Sequence, residues 1–516
     1  MTRGYIGSME PLIEKISEAE ARFDLWRHRA GLLFGPLAGL AIFSLFPGLP
    51  PEQRRLAAVL TLVIVFWVTE AIPIPATALL GPALCVLLGV GEAREVFRHF
   101  GDPIIFVFLG SFLIARAMAV NGLDRRVALA ILQSPAIGSS PARIRLAIGA
   151  AAVLLSMWIS NTATAAILLP IAIGVCDAIE RMYAAGDAAL RRASRSYATG
   201  LMLMIAYGAS IGGLATPVGT PPNLIGIGMM ETLGGRRIPF FEWMLLGVPV
   251  TAVMFAALCA LQRFLHPAPR KMLGGLETVL LQMKEGLPAW GRAQVYTMIA
   301  FFTAVVLWVL PGLVAVLQGT QSSLYRTLGA VLNEGVVALL AGSLLFLLPV
   351  RWKPPRGALD WRQAVDIDWG TLLLFGGGLS LGSLMYSTGL ANRLANGLLG
   401  SDGTAGIWAI TAVATLFAIM ITETTSNTAA ASMVVPIAIA VAKAAGVSPI
   451  PPAIGATIGA SLAFVLPVST PPNAIVYGSG RVTIVQMFRA GIFLDAVGYI
   501  LLLLMLRILC PLLGLV

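Results

Sequence analysis

The chain has 516 residues, of which 58% are hydrophobic and 12% charged, about half the charged share of a soluble globular protein. Nearly charge-free blocks recur, among them residues 56–68, 244–262, 297–317, 330–350 and 497–509. Several reach the roughly 20 apolar residues that a bilayer crossing needs, which excludes a soluble fold. The net charge of +10 does not point to nucleic acid, because the basic residues sit in loops between apolar blocks and no basic run carries interleaved aromatics.

Cys85, Cys176, Cys259 and Cys510 are isolated in apolar stretches, so neither a disulfide framework nor a CxxC metal site is expected. His28, His99 and His266 are scattered among loop segments and read as interfacial or solvated rather than as a shared metal site. The N-terminal segment is charged and lacks an A-x-A site, so no cleavable signal peptide is expected.

In chain order, Leu12, Ile16, Ala19, Phe23 and Trp26 recur at helical spacing among charges. Residues 1–30 are therefore expected to form a cytoplasmic amphipathic segment, lying on the membrane or covering a cytoplasmic face of the protein. Eleven spans are expected, at 31–49, 55–73, 75–91, 103–121, 197–231, 241–265, 294–317, 329–350, 368–390, 452–480 and 485–513. Two further apolar stretches, 143–177 and 405–442, are too long for one crossing without a large tilt. Arginines flank 143–177 on both sides (Arg125, Arg126, Arg143, Arg145; Arg181, Arg191, Arg192, Arg195), so both ends are expected in the cytoplasm and the stretch reads as a re-entrant hairpin. The expected class is an all-α polytopic membrane protein with a cytoplasmic N-terminus and an external C-terminus.

The chain contains itself twice. SNTATAAILLP at 160–170 recurs as SNTAAASMVVP at 426–436, and the same offset relates Asp102 to Asp368 and Gly110 to Gly376. PVGTPPNLI at 217–225 recurs, at a slightly shorter offset, as PVSTPPNAI at 467–475. Five spans separate the two hairpins, so the halves face opposite ways: an inverted-topology repeat, with a site expected near the midplane between them. After a first transmembrane segment at 31–54, the division is a first repeat at 55–265, a cytoplasmic linker at 266–293 and a second repeat at 294–516.

Ser-Asn-Thr is a poor choice for a lipid-facing helix, because unpaired polar groups in hydrocarbon cost several kcal/mol. At a hairpin tip the same residues supply donors and acceptors where the backbone turns. The prolines of TPPN remove backbone donors and bias the preceding residue away from helix, so each copy is expected to break its span. Half-helix N-termini suit an anion's oxygens, and exposed carbonyls with Ser, Thr and Asn oxygens suit sodium. No Lys, Arg or His lies in 147–170, 205–226, 405–436 or 452–476. A dianion bound there would take its compensating charge from bound cations, which is the physical basis of symport. Glu70 and Glu423 are ionisable residues in apolar surroundings, which marks them for function or for capping a broken helix. Arg116 is expected to snorkel to the interface. No HExxH and no Ser–His pair at membrane depth is present, so the chain is not expected to be an enzyme.

The paired SNT motifs, the paired TPPN breaks and the stretch WVTEAIPIPATALL resemble the divalent anion:sodium symporter family, from about residue 30 to the C-terminus. The resemblance implies a homodimer in the inner membrane, each protomer with a scaffold domain and a transport domain that moves as an elevator. It implies sodium as coupling ion, no organic cofactor, and a small divalent anion, foremost C4-dicarboxylates such as succinate, malate and fumarate. Substrate would be held by Ser160, Asn161 and Thr162 at one end and by Ser426, Asn427 and Thr428 at the other, with Thr220, Pro221, Thr470 and Pro471 beside it. One sodium site would use Ser156, Ser160, Asn161 and Gly219, and its mirror Thr422, Thr425, Asn427 and Ser469. A sodium-independent dicarboxylate, citrate or tartrate exchanger and a sulfate transporter are the alternatives on the same scaffold.

Overall fold

A computed structural model describes residues 18–134, 140–183, 188–269, 289–399 and 406–516. These form helices throughout, apart from one antiparallel pair, β1 (Arg351–Trp352) and β2 (Pro355–Arg356). Among the described residues, seven helices are long and apolar enough to cross a bilayer, or eight if the pair bent by 58° at residues 331–334 is counted as one span. Two of these seven, Asn161–Met182 and Asn427–Ala444, belong to the expected hairpins, so five coincide with the eleven expected spans, and several of the others fall short for local reasons. Helix α2 (Pro51–Thr69) carries Glu52, Arg54 and Arg55 at its start, α3 (Ile74–Leu87) is 14 residues long, and two spans are broken.

The first helix, α1 (Glu18–Leu45), runs without interruption from the expected amphipathic segment into the first span. It packs along α2. The rest of that segment, residues 1–17, lies outside the described residues, as do residues 270–288 of the expected linker.

A short helix α4 (Ala93–Phe97) leads to α5 (Pro103–Val120), α6 (Leu123–Leu132), α7 (Pro141–Ser156), α8 (Asn161–Tyr183), α9 (Ala188–Gly212), α10 (Pro221–Met229) and α11 (Phe240–Leu265). Then come α12 (Arg292–Gln318), α13 (Ser323–Val331), α14 (Glu334–Leu347) and α15 (Trp361–Ala364). The second half continues as α16 (Trp369–Ser387), α17 (Leu390–Leu399), α18 (Ile407–Thr422), α19 (Asn427–Ala444), α20 (Ile450–Gly459), α21 (Pro471–Gly478) and α22 (Ile484–Leu512). The order α5–α11 is thus repeated by α16–α22.

The repeat has a structural reason at its paired aspartates. Asp102 and Asp368 are the N-caps of α5 and α16, accepting from Ile104 N and Thr371 N, each at 3.0 Å. Such caps satisfy helix donors that have no partner in the helix. Hairpin α7–α8 packs on α9, and hairpin α18–α19 packs on α20. The halves interlock: α21 packs on α8 and α9, while α10 packs on α19 and α20. The broken spans form the centre, with every residue of Tyr197–Gly212 and of Ile450–Gly459 buried. On α12 and α22, Phe302, Val306, Val316, Ile500, Leu504 and Ile508 are exposed, an apolar outer surface that suits lipid rather than water.

The histidines correct one expectation. His99 and His266 are each only 7% exposed rather than solvated. Beyond the end of α11, the His266 ring Nδ1 lies 3.1 Å from Ser196 Oγ, and its carbonyl accepts from Arg145. Burial, and then the Arg145 charge, push its pKa down to about 4 from an ordinary 6.5. The unfolded chain therefore takes up this proton at higher pH than the folded protein. Stability is full above pH ~6.5 and falls by up to about 3 kcal/mol as pH drops towards ~4. Thermal unfolding scans across that window are expected to show His266→Asn flattening the acid-side fall; an unchanged slope would refute the assignment.

Candidate functional site

Each SNT motif opens the second arm of its hairpin. Ser160 Oγ accepts from Ala163 N and Ser426 Oγ from Ala429 N, both at 3.2 Å. The Asn side chains are held by the preceding arm: Ser156 donates to Asn161 Oδ1 at 2.5 Å, and Thr422 to Asn427 Oδ1 at 2.8 Å. The two hairpins thus repeat one geometry at matching positions of the two halves.

The broken spans repeat another. Thr220 and Thr470 precede α10 and α21 in extended conformation, and Pro221 and Pro471 occupy the first helical position, where a missing N–H costs nothing. Asn223 Nδ2 donates to the Gly213 and Thr216 carbonyls, each at 2.8 Å. Asn473 Nδ2 donates to the Ala463 and Leu466 carbonyls at 3.1 and 3.0 Å. Each amide therefore bridges the unwound segment. The Gly213 and Ala463 carbonyls take this amide as their donor, while those of Thr216 and Leu466 also accept from the N–H of Gly219 and Ser469, each at 3.3 Å.

Donors fit for sodium converge in the first half. A methyl group at Gly213 would lie 2.7 Å from Asn161 Oδ1 and 3.2 Å from the Gly219 carbonyl oxygen. The Asn161 amide oxygen and the Gly219 carbonyl oxygen therefore both close on Gly213, and both are neutral hard donors of the kind sodium takes. In the second half Thr422 also donates to the Ala460 carbonyl at 2.7 Å, and Thr425 to that of Ile421 at 3.2 Å. Ser469 donates to the Glu423 carboxylate at 2.7 Å. The halves differ here, because Met157 and Gly219 stand where Glu423 and Ser469 do.

Ser160, Thr162, Gly219 and Pro221 share one cavity of about 360 Å³, which Ser111 and Arg116 of α5 and Asp368 also line. The corresponding second-half residues do not line it. Ser426, Asn427 and Thr428 are half-buried, Thr470 is buried and Pro471 is exposed. Among the described residues no hydrogen bond joins the two SNT motifs.

Three charged residues have definite partners. Arg116 does not snorkel alone: it pairs with Asp366 and donates to the Gln363 carbonyl at 3.3 Å. Glu70 caps the C-terminus of α2 in left-handed conformation and accepts from Arg27 at 3.3 Å. Glu423 accepts from Phe464 N at 2.8 Å and Val465 N at 3.1 Å, fastening the backbone just after α20. The sequence reading does not single out Asn223 and Asn473, although they are the last polar residues of the duplicated TPPN. It also misses Asp495, a lone acid in the apolar α22, which the rule applied to Glu70 and Glu423 would have found.

The family model described as "Sodium:sulfate symporter transmembrane region" matches residues 30–516. The chain belongs to this family. As a member it is a multi-pass membrane transporter and not an enzyme. It is similar to the sodium-dependent dicarboxylate transporter SdcS of Staphylococcus saprophyticus, 34% identical over 487 residues, covering 93% of this chain and 91% of that one. SdcS of Staphylococcus aureus is 34% identical over 486 residues, with the same coverage of 93% and 91%. In fold it resembles the YdaH transporter of Alcanivorax borkumensis (TM-score 0.53, 14% identity, 90% of this chain and 99% of that one). It also resembles MtrF of Neisseria gonorrhoeae (TM-score 0.54, 13% identity, 90% and 95%).

Proposed function

We propose that this member takes up C4-dicarboxylates such as succinate, malate and fumarate across the inner membrane, driven by sodium. The carrying observation is the mirrored pair of hairpin tips, each with its Asn held by a Ser or Thr of the preceding arm. Ser160–Thr162 and Ser426–Thr428 hold the substrate, with Thr220, Pro221, Thr470 and Pro471 beside it. Sodium binds at Ser156, Ser160, Asn161 and Gly219, and at Thr422, Thr425, Asn427 and Ser469. Neutral oxygens and helix N-termini bind a dianion weakly unless cations accompany it, so the two bind together. The family description names sulfate. The similarity to transporters named for dicarboxylates, along nearly the whole chain, favours carboxylate substrates.

In this reading the hairpins and broken spans form a transport domain that moves as an elevator against a scaffold within a homodimer, with the N-terminus inside and the C-terminus outside. The cavity between α5 and the first hairpin is then the inward path. The test is uptake of labelled succinate by proteoliposomes with and without an inward sodium gradient, with malate, citrate, tartrate and sulfate as competitors. Concentrative uptake only with sodium, lost in Asn161→Ala and Asn427→Ala, is expected. Sodium-indifferent uptake that requires internal dicarboxylate would make this an exchanger, and competition by sulfate alone would overturn the substrate.

A further inference from the structure

Glu423 does not stand alone at membrane depth. Asp495, in the middle of α22, is 8% exposed, and neither of its carboxylate oxygens has a hydrogen-bond partner. Its helix lies against Phe464 and Val465, the two residues whose backbone N–H groups Glu423 holds, that of Phe464 at 2.8 Å. The cause is in the packing of α22. Gly491 sets that helix directly on the unwound stretch after α20, since a methyl group there would lie 2.2 Å from the Phe464 carbonyl oxygen. Asp495 is one turn further along the same helix face, so it meets the same stretch.

Two carboxylates are thus brought together in a place where an uncompensated charge is strongly unfavourable. Tyr207 lies nearby, but its hydroxyl donates to the Met487 carbonyl at 3.2 Å. Glu423 has two backbone N–H groups and the Ser469 hydroxyl. Asp495 has nothing, and Ser461 on the same unwound stretch is also buried without a partner. The surplus is of oxygen, and what is missing is a small cation.

We propose that Glu423 and Asp495 together bind a sodium ion in addition to those of the two hairpin sites. The inference rests on the sodium-coupled reading above and adds a coupling ion that the repeat does not predict. Its mirror positions cannot hold one, because Met157 stands where Glu423 does. Binding there would tie sodium to the α20–α21 break through Phe464, Val465 and Ser469, the groups that Glu423 already holds.

Two measurements test it on the full chain: the sodium-to-succinate ratio from reversal potentials in proteoliposomes, and sodium-dependent thermal stabilisation of substrate-free protein. The wild type is expected to couple one sodium ion more than the two hairpin sites supply. Asp495→Asn, isosteric but uncharged, is expected to couple one fewer and to lose part of the sodium-induced stabilisation while its sodium-free unfolding temperature holds or rises. An unchanged ratio and unchanged stabilisation in Asp495→Asn would overturn the proposal. So would a wild-type ratio of two or fewer, a measurement that stands even if the variant does not fold. A reversal potential that follows the pH gradient in the wild type and not in Asp495→Asn, at constant sodium ratio, would replace the cation by a shared proton. Succinate transport with no sodium dependence would overturn both this inference and the proposed function, whereas a ratio of two would overturn this inference alone.

Discussion

Asn473→Ala is expected to abolish sodium-dependent uptake and to lower the unfolding temperature, although this residue is not placed against substrate. Its amide holds the Ala463 and Leu466 carbonyls at 3.1 and 3.0 Å across the break between α20 and α21, and the residue is fully buried. Alanine would leave the Ala463 carbonyl without a donor, while the Leu466 carbonyl would keep only the Ser469 N–H at 3.3 Å. One orphaned buried acceptor costs roughly 1–3 kcal/mol. Asn223→Ala is expected to behave alike, since Asn223 makes the mirrored bonds at 2.8 Å each. The checks are thermal unfolding of detergent-solubilised protein and succinate uptake normalised to reconstituted protein. Wild-type stability and uptake in either variant would show that the breaks hold themselves without the amide.

The broken spans also show how far the sequence speaks. Pro221 and Pro471 announce a helix start from their chemistry alone, and SNT announces a hairpin tip because its polar groups need a turn to serve. Both signals are local, and duplication strengthens them. What fills the break is not local. That Asn223 reaches back to the Gly213 carbonyl, or that Glu423 reaches forward to Phe464 and Val465, depends on how hairpin and span pack. Asp495 is the clearest case: its meaning comes from Gly491 bringing α22 back onto the unwound stretch around Phe464. Arg116 escapes a local reading for the same reason, since its partner Asp366 belongs to the opposite half of the chain. Apolar content also counts more crossings than there are continuous helices, because it measures solvent preference and cannot see where a span stops being helical.

Gly213→Ala is expected to raise the sodium concentration for half-maximal uptake by at least about tenfold, equivalent to ~1.4 kcal/mol, with the fold intact. The added methyl would stand 2.7 Å from Asn161 Oδ1, 3.1 Å from Thr220 Cβ and 3.2 Å from the Gly219 carbonyl oxygen, crowding two of the oxygens assigned to the first sodium. The same crowding displaces the amide that Ser156 orients, so substrate affinity is expected to fall with sodium affinity. The second half supplies the control, because Ala463 stands at the matching position. A methyl is tolerated there beside a different donor set, with Ser469 in place of Gly219 and Glu423 in place of Met157. Ala463→Gly is therefore expected to leave sodium dependence nearly unchanged. Sodium-dependent thermal stabilisation without substrate separates this from a general loss of activity. If Gly213→Ala kept wild-type sodium stabilisation, the first cation would not lie between Asn161 and Gly219, and the near-symmetry of the two halves would belong to the fold rather than to ion binding.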